Sequence, residues 1–427
     1  MTLDFYVSIR DPLYGFIELT NDEIKIINSS IMQRLRRIKQ LSHTYLVYPS
    51  AVHTRFEHSL GTLYVADRMC RTLKISGKER KEVRYAALLH DISHGPFSHL
   101  FEVVLQRLNK DPKFSYEKIL GEMINRSEEI CEVLDENLES VIAILEKRAG
   151  LLSEIISSSV DADKMDYLRR DSYHTGVAYG IFDFERVVRN LSKTEDGEHL
   201  VILEKAQEAI ESYRLGRYLL HAQVYGHHAR LIADSMFIRA VELAIKEGAI
   251  RERDLRVGTN DFWDFYLKLD DYYICNIILE NSNAKAAKLI KKLLDRKLFK
   301  RAFEVVISKD EIPNAIRRME IMKMEQEQID EAESEISQDS GVDKDFIIVY
   351  LHRVPIKLYE SIEESVIDKR EAPILVKKPN GSIVSLDEVS PISASKVPMK
   401  LYVFCEEDNV EKVKRSAEKY FGVKSRR

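Results

Sequence analysis

No run of this 427-residue chain approaches the roughly 18 consecutive apolar residues that a membrane-crossing helix needs. The N-terminal stretch Met1 to Ile9 carries Asp4 and lacks the basic start and apolar core of a secretion signal. Cysteine is scarce: Cys70, Cys131, Cys275 and Cys405 lie far apart with no CxxC pair. That spacing excludes a disulfide framework and a zinc ribbon, and it suits a reducing compartment. The expectation is a soluble cytoplasmic protein without a membrane partner. An excess of one charge is missing too. A formal net charge of −5 gives no general pull toward nucleic acid or anionic lipid, so nucleic acid is not the expected partner. Any anion must be held by a local cluster of Lys, Arg and His.

What is present is enough for a large folded core. Hydrophobic residues make up 44% and charged residues 32%, which argues against disorder, and the length suggests two or three folding units. From about Asp22 to Glu320 the pattern is helical, most clearly over Lys81–His94 and Glu204–Ile245, where apolar residues recur at three- and four-residue steps. Gly95-Pro96 is a stop signal. A short hairpin is expected around Asp196-Gly197, between Val187–Leu191 and His199–Leu203. Near Met322 the composition turns acidic, and beyond it the period changes. Phe346–Arg353, Ile374–Lys377, Ile383–Leu386 and Met399–Cys405 read as strands, with Pro379-Asn380-Gly381 as a tight turn and a final amphipathic helix over Asn409–Phe421. The fold class is therefore mainly α: an all-α body with a small C-terminal α+β appendage.

A His-Asp dipeptide alone is a weak motif, and histidines on a helix are often merely hydrogen-bonded core residues. In ALLHDISHGPFSH, however, three histidines and an aspartate fall close together. His90 and His94 are expected four apart on one helix face, with Asp91 beside His90 and His99 just past the Gly-Pro break. Two further segments weaken the bland reading. His58 lies in TRFEHSLG, at the start of a predicted helix. Asp163, Tyr167 and Asp171 in VDADKMDYLRRD share a helix face at i, i+4, i+8. Two imidazoles and two carboxylates suit a Mn, Fe or Zn ion with positions left open for water and phosphate.

The order His … His-Asp … Asp at these spacings resembles the signature of the HD superfamily. DPLYGFIEL, QRLRRIKQL, RFEHSLG, LLHDISHGPFSH and DADKMDYLRRD more specifically resemble, in order, its dNTP triphosphohydrolase branch, over about residues 8 to 240. The resemblance implies one divalent metal ion (Mn, Fe, Zn or Mg) on His58, His90, Asp91 and Asp163. It implies His99 at the attacked α-phosphate, His94 beside it for proton transfer, and Glu117 orienting His94. Arg55 and Lys164 match positions that grip the triphosphate, and Gln40 and Asp171 those that meet the 3′-hydroxyl. Tyr167 matches an aromatic packed so close to the sugar that a 2′-hydroxyl has no room. Arg217, His221 and Tyr225, expected on one helix face, match phosphate- and sugar-side positions.

The implied organisation is an HD-type metal phosphohydrolase domain over 1–240, a helical extension over 241–321, an acidic linker or solvated helix over 322–344, and a small α+β domain over 345–427. The implied reaction is hydrolysis of a dNTP to deoxynucleoside and inorganic triphosphate, in a dimer or tetramer, with a nucleotide activator among the family's partners. Action on another nucleotide phosphate ester, or nucleotide sensing with weak activity, is the alternative. Three positions depart from the pattern. Tyr116 stands where the family usually has histidine, Glu102 is one methylene longer than the matching aspartate, and Asn28 replaces an aspartate that helps select guanine at a regulatory site, although Arg36 is kept.

Overall fold

A computed structural model describes residues 3–281, 285–353, 373–390 and 398–426. The fold is mainly α with small sheets, as expected. Among the described residues the strands are β1 (Phe5–Asp11), β2 (Gly15–Thr20), β3 (Leu191–Lys193), β4 (Leu200–Leu203), β5 (Lys300–Val306), β6 (Ile347–His352), β7 (Leu375–Lys377), β8 (Ile383–Ser385) and β9 (Lys400–Cys405). No helix among these residues is long and apolar enough to cross a membrane. The chain forms two compact units. One comprises Met1–Glu102, Phe114–Leu220 and Lys357–Ser395; the other comprises Val103–Lys113, His221–Ile356 and Lys396–Arg427.

The first unit opens with the hairpin β1–β2, which the helical reading does not anticipate. Its turn is built by the DPLYG motif. Asp11 Oδ1 accepts from the backbone N–H of Leu13 at 2.8 Å and of Tyr14 at 3.1 Å, and Gly15 adopts φ +78°, a conformation that costs a residue with a side chain more than it costs glycine. The central helix α1 (Arg55–Leu73) is buried on nearly every side, by Phe56, Leu60, Leu63, Ala66, Met69 and Leu73 among others. Each such large side chain contributes about 1.5–3 kcal/mol on burial. It packs against α2 (Gly77–Leu89) and against a helix downstream, Ala162–Thr175.

The expected helix over Lys81–His94 ends earlier, at Leu89, and residues 90–98 form turns before α3 (His99–Leu108) begins. The turns are held by Arg34, fully buried, whose Nη2 donates to the carbonyls of Ile92 and His94, both at 2.7 Å. His90 and His94 therefore do not share a helix face. Beyond the turns come α4 (Ala162–Thr175) and α5 (Gln207–Leu220). The hairpin around Gly197 forms, but Val187 belongs to the helix Phe184–Arg189 and the first strand starts only at Leu191. The sheet order is β3-β4-β7-β8, with β4 and β7 parallel (Ile202 opposite Val376) and the other pairs antiparallel.

In the second unit, a π-turn over His221–Tyr225 precedes α6 (His228–Lys246). The unit's sheet is antiparallel, in the order β5-β9-β6. Phe303, Val305, Ile347, Val349, Leu401 and Val403 form its core with α7 (Gln326–Ser340) and α8 (Val410–Phe421). The acidic stretch near Met322 is thus a helix with a buried stripe: Ala332 and Ile336 join the core, and buried Glu333 pairs with Arg239 at 2.6 Å. The strand β5 is missed by the helical reading, because its run KRAFEVV is buried without a clear alternation.

Candidate metal centre

Two packed helices bring the main residues together. His58 stands in the first turns of α1, and Asp163 in the first turn of α4, whose N-cap Asp161 accepts from the Lys164 N–H at 2.6 Å. The close approach depends on Gly61, where a Cβ would lie 1.9 Å from Asp166 Oδ1 and 2.3 Å from Arg170 Nη2. Into that gap fits a buried network. Asp166 accepts from His58 Nδ1 at 2.8 Å, from Arg170 Nε at 2.9 Å and from the Tyr14 hydroxyl at 2.8 Å, while Arg170 also reaches Asp11 at 3.0 Å. Burial alone would raise the Asp166 pKa, but the charges of Arg170 and His58 and their hydrogen bonds hold it well below the usual carboxylate range.

His58, His90 and Asp163 form a group whose ligating atoms all lie within 4.8 Å of one another. The hydrogen bonds decide what those atoms offer. His58 Nδ1 faces the ionised Asp166, and His90 Nδ1 faces the carbonyl of Ala87 at 2.8 Å. Both partners only accept, so both Nδ1 atoms carry the proton and both Nε2 atoms of neutral rings present lone pairs. These lone pairs meet: Nε2 to Nε2 is 3.3 Å, and His58 Nε2 to Asp163 Oδ1 is 2.9 Å. Three acceptors facing one another require a cation or a proton among them. Either would satisfy His58. Burial opposes protonation, but hydrogen bonds to Asp163 and Asp166 and the Asp91 charge raise its pKa to about 10. The donor set fits a divalent ion, with carboxylate and carbonyl partners orienting both imidazoles.

Asp91, the expected fourth ligand, stands beside this trio. Its Oδ1 is 3.4 Å from His90 Nε2 and 3.3 Å from His94 Nε2, while Arg55 Nη1 donates to Oδ2 at 2.6 Å. Burial would raise its pKa, but Arg55 above all, then His90 and His94, hold it well below the usual range. Arg55 Nε also donates to Ser98 Oγ at 2.8 Å, and the Ser98 hydroxyl in turn donates to the Lys39 carbonyl at 2.8 Å. Phe97 and Ser98 both have left-handed backbone, φ 53° and 60°, uncommon for residues with side chains. The Tyr116 hydroxyl clamps the same turn by donating to the Ser98 carbonyl at 3.0 Å, and its ring meets His94 edge-on at 4.5 Å. Burial and the nearby Arg55 charge keep the His94 pKa well below the ordinary histidine value, so this ring is neutral at pH 7.

Around Asp163 the chain gathers cations. Lys164 Nζ pairs with buried Asp161 at 2.9 Å. Burial pushes the Tyr167 hydroxyl up to about 12, and Arg217 and Lys164 are the two cations acting against it. Tyr167 lies edge-on to His58 at 6.5 Å. Asp171 is buried and takes a hydrogen bond from His53 Nε2 at 2.8 Å, and Gln40 donates its backbone N–H to the His53 carbonyl at 3.0 Å. His99 begins α3 with its side chain 71% exposed and Nδ1 3.0 Å from Glu102; its ring is edge-on to His94 at 4.9 Å.

The remaining candidates have partners of their own. Glu117 is exposed on the first turn of its helix and pairs with Lys147 at 3.0 Å, so the geometry gives it no contact with His94 to orient. His221 and Tyr225 meet edge-on at 4.7 Å in the π-turn that follows α5. Sequence reasoning missed Asp166, His53, Asp161 and Ser98. A signal for Asp166 does exist: it sits three residues after Asp163 on α4, one turn along, and pairs with Arg170 four residues on.

The family described as the HD domain matches residues 55–171, and the HD associated region matches residues 182–427. The chain belongs to the HD family. Relatives of this HD phosphohydrolase include the uncharacterized protein MJ1154 of Methanocaldococcus jannaschii, 34% identical over 92% of this chain and 76% of its own length. The deoxynucleoside triphosphate triphosphohydrolase SAMHD1 homolog of Dictyostelium discoideum is 31% identical over 71% of the chain, and human SAMHD1 is 30% identical over 68%. The match spans only 61% and 54% of those two proteins. A solved phosphohydrolase from Bacteroides thetaiotaomicron shares the fold at a TM-score of 0.72 and 26% identity, over 94% of this HD chain and 99% of its own.

Proposed function

We propose that this HD phosphohydrolase cleaves deoxynucleoside triphosphates to deoxynucleoside and inorganic triphosphate. The observation that carries the reading is the company kept by Asp163. On the same helix stand Lys164 and Tyr167, with Arg217 acting electrostatically on both. Cations and an aromatic ring beside a metal centre are what a triphosphate on a sugar needs. The printed activity of the two named relatives, deoxynucleoside triphosphate triphosphohydrolase, supports the same substrate class.

In this reading His58, His90, Asp163 and Asp91 hold one divalent ion, which supplies Lewis acidity toward a phosphate oxygen and acidifies water. Lys164 and Arg217 balance the triphosphate charge, and Arg55 keeps Asp91 ionised. Tyr167 lines the sugar position and Gln40 and Asp171 meet the 3′-hydroxyl. Water adds at the α-phosphorus, the bond from phosphorus to the 5′ oxygen breaks, and that oxygen leaves with a proton. Neutral His94 shares its Nε2 proton with Asp91 and keeps a lone pair on Nδ1, an atom buried without a hydrogen-bond partner among the described residues. That nitrogen is suited to accept a proton, and exposed His99 to approach the α-phosphate. The family's nucleotide activator and its dimeric or tetrameric assembly belong to the same proposal.

The test is a product assay with purified protein and Mn over the four dNTPs and four NTPs, resolving triphosphate, pyrophosphate and phosphate. Inorganic triphosphate from dNTPs, with ribonucleotides poor, is expected. Release of phosphate alone, or turnover only of monophosphates or cyclic nucleotides, would replace this reading with that of another HD phosphoesterase.

A further inference from the structure

Two of the residues assigned to the sugar are held by a third that no motif singles out. His53 is 2% exposed, its Nε2–H donates to Asp171 Oδ1 at 2.8 Å, and its carbonyl accepts the Gln40 N–H at 3.0 Å. Its ring is stacked on that of His174, with centroids 4.4 Å apart and 15° between planes. So the ring cannot swing without losing both the stack and the carboxylate. Gln40 Oε1 is buried with no hydrogen-bond partner among the described residues. A buried acceptor left without a donor is costly, and a ligand hydroxyl or amine would relieve it. A carboxylate has a broad χ2, and the hydrogen bond from His53 narrows it to the orientation that reads a hydroxyl.

We propose that His53 is the positioning residue for recognition of the sugar 3′-hydroxyl, fixing the Asp171 carboxylate through its ring and the backbone at Gln40 through its carbonyl. This rests on the dNTP reading above and adds to it the group that sets the pocket's geometry. A site built to hydrogen-bond a hydroxyl rejects the analogue that lacks it, because its buried polar groups are then left unpaired. His53 thus acts on the difference between a dNTP and the matching 2′,3′-dideoxynucleoside triphosphate, and not on phosphate handling.

The experiment measures kcat/KM for dGTP and ddGTP, and for the other three pairs, in wild type, His53→Phe and His53→Gln. Phe keeps the stack on His174 and loses the donor; Gln restores an N–H near the place of Nε2. Wild type is expected to favour dNTP over ddNTP by about 100-fold or more. His53→Phe should lose about 10- to 100-fold on dNTP and change by no more than about twofold on ddNTP, collapsing the ratio, since a hydrogen bond to a charged group is worth more than one between neutral groups. His53→Gln should recover most of the ratio. If His53→Phe does not fold, His53→Asn, too short to reach Asp171, carries the same expectation. Equal losses on both substrates would show a merely structural role and overturn the proposal while leaving the dNTP reading intact. A ratio unchanged in Asp171→Ala would overturn it as well. Absence of dNTP turnover in wild type would remove the reading and the proposal together, and is distinguished by the wild-type assay alone.

Discussion

Asp166 touches no substrate in the proposed reaction, yet its carboxylate settles which nitrogen of His58 faces the metal centre. With Asp166→Asn the side chain no longer offers a charged acceptor to Nδ1, Arg170 keeps only Asp11 as a counter-ion, and the His58 tautomer is no longer enforced. Loss of such an orienting partner typically costs about 10- to 100-fold in metal affinity. Titration of Mn into chelator-treated protein should show a loss of that size for Asp166→Asn. His90→Ala and Asp91→Ala should carry no stoichiometric metal by elemental analysis. Full occupancy in either would remove that residue from the ligand set. A second expectation concerns Tyr116. Its hydroxyl is committed to the Ser98 carbonyl, and a phenol is a poor proton shuttle at neutral pH. Tyr116→His, beside His94, should raise kcat with little change in KM, and the pH–rate profile should gain a limb near pH 7. An unchanged profile would mean that proton transfer does not pass this way.

At the scale of elements, the seam between α1 and α4 is the part on which the site depends. Gly61→Ala puts a methyl where Asp166 Oδ1 and Arg170 Nη2 now lie, so either the helices part or the ion pair breaks. Overpacking of this kind costs about 1–3 kcal/mol. The expected result is a lower Tm together with weaker metal binding; a lower Tm with unchanged metal affinity would show that the seam and the site are independent. The same seam explains what is legible in the sequence. RFEHSLG and DADKMDYLRRD lie on regular helices, so spacing translates directly into faces, and Asp163, Tyr167 and Asp171 fall along α4 as the i, i+4 rule requires. LLHDISHGPFSH does not, because its helix stops at Leu89 and the residues that follow turn around the buried side chain of Arg34, and no local pattern announces a partner that far away in the chain. The strands β6 and β9 are readable from short runs of β-branched and aromatic residues, and the helix α8 from its amphipathicity. β1, β2 and β5 are not, since two are capped by turn chemistry that looks like a loop and the third is buried without alternation. His53 and Ser98 act through single long-range hydrogen bonds, which have no period to detect.

For the whole molecule, acidity and metal should act on one another. In the metal-free protein the His58 pKa is about 10, against about 6.5 in an unfolded chain. A raised value means that this histidine stabilises the fold fully below about pH 6.5 and that the contribution is lost as pH rises through the folded value. A bound cation replaces the proton among the same three acceptors and removes that loss. The Tm difference between metal-loaded and chelated protein should therefore widen from pH 6 toward pH 10. A gap that stays constant over that range would show that proton and metal do not share the cluster. Asp67 contributes in the opposite direction. Burial would raise its pKa, but Arg84, Arg80 and Arg71 hold it low, so its stabilisation is present above about pH 4 and lost as pH falls further.

The parallel pairing of β4 with β7 sets Ile202 beside Val376, and that juxtaposition bears on the order in which the protein is made. A ribosome releases the segments that carry His58, His90 and Asp163 long before it reaches β7 and β8. Until residue 385 has emerged, β4 keeps an unpaired edge, open to other strands in the crowded space around a growing chain. The first unit also owns Lys357–Ser395, so no single cut yields it whole. Replacing residues 375–385 by a Gly-Ser linker of equal length, which leaves β9 and α8 in place, should give a protein that aggregates during expression, and supplying 373–390 as a separate peptide should restore its solubility.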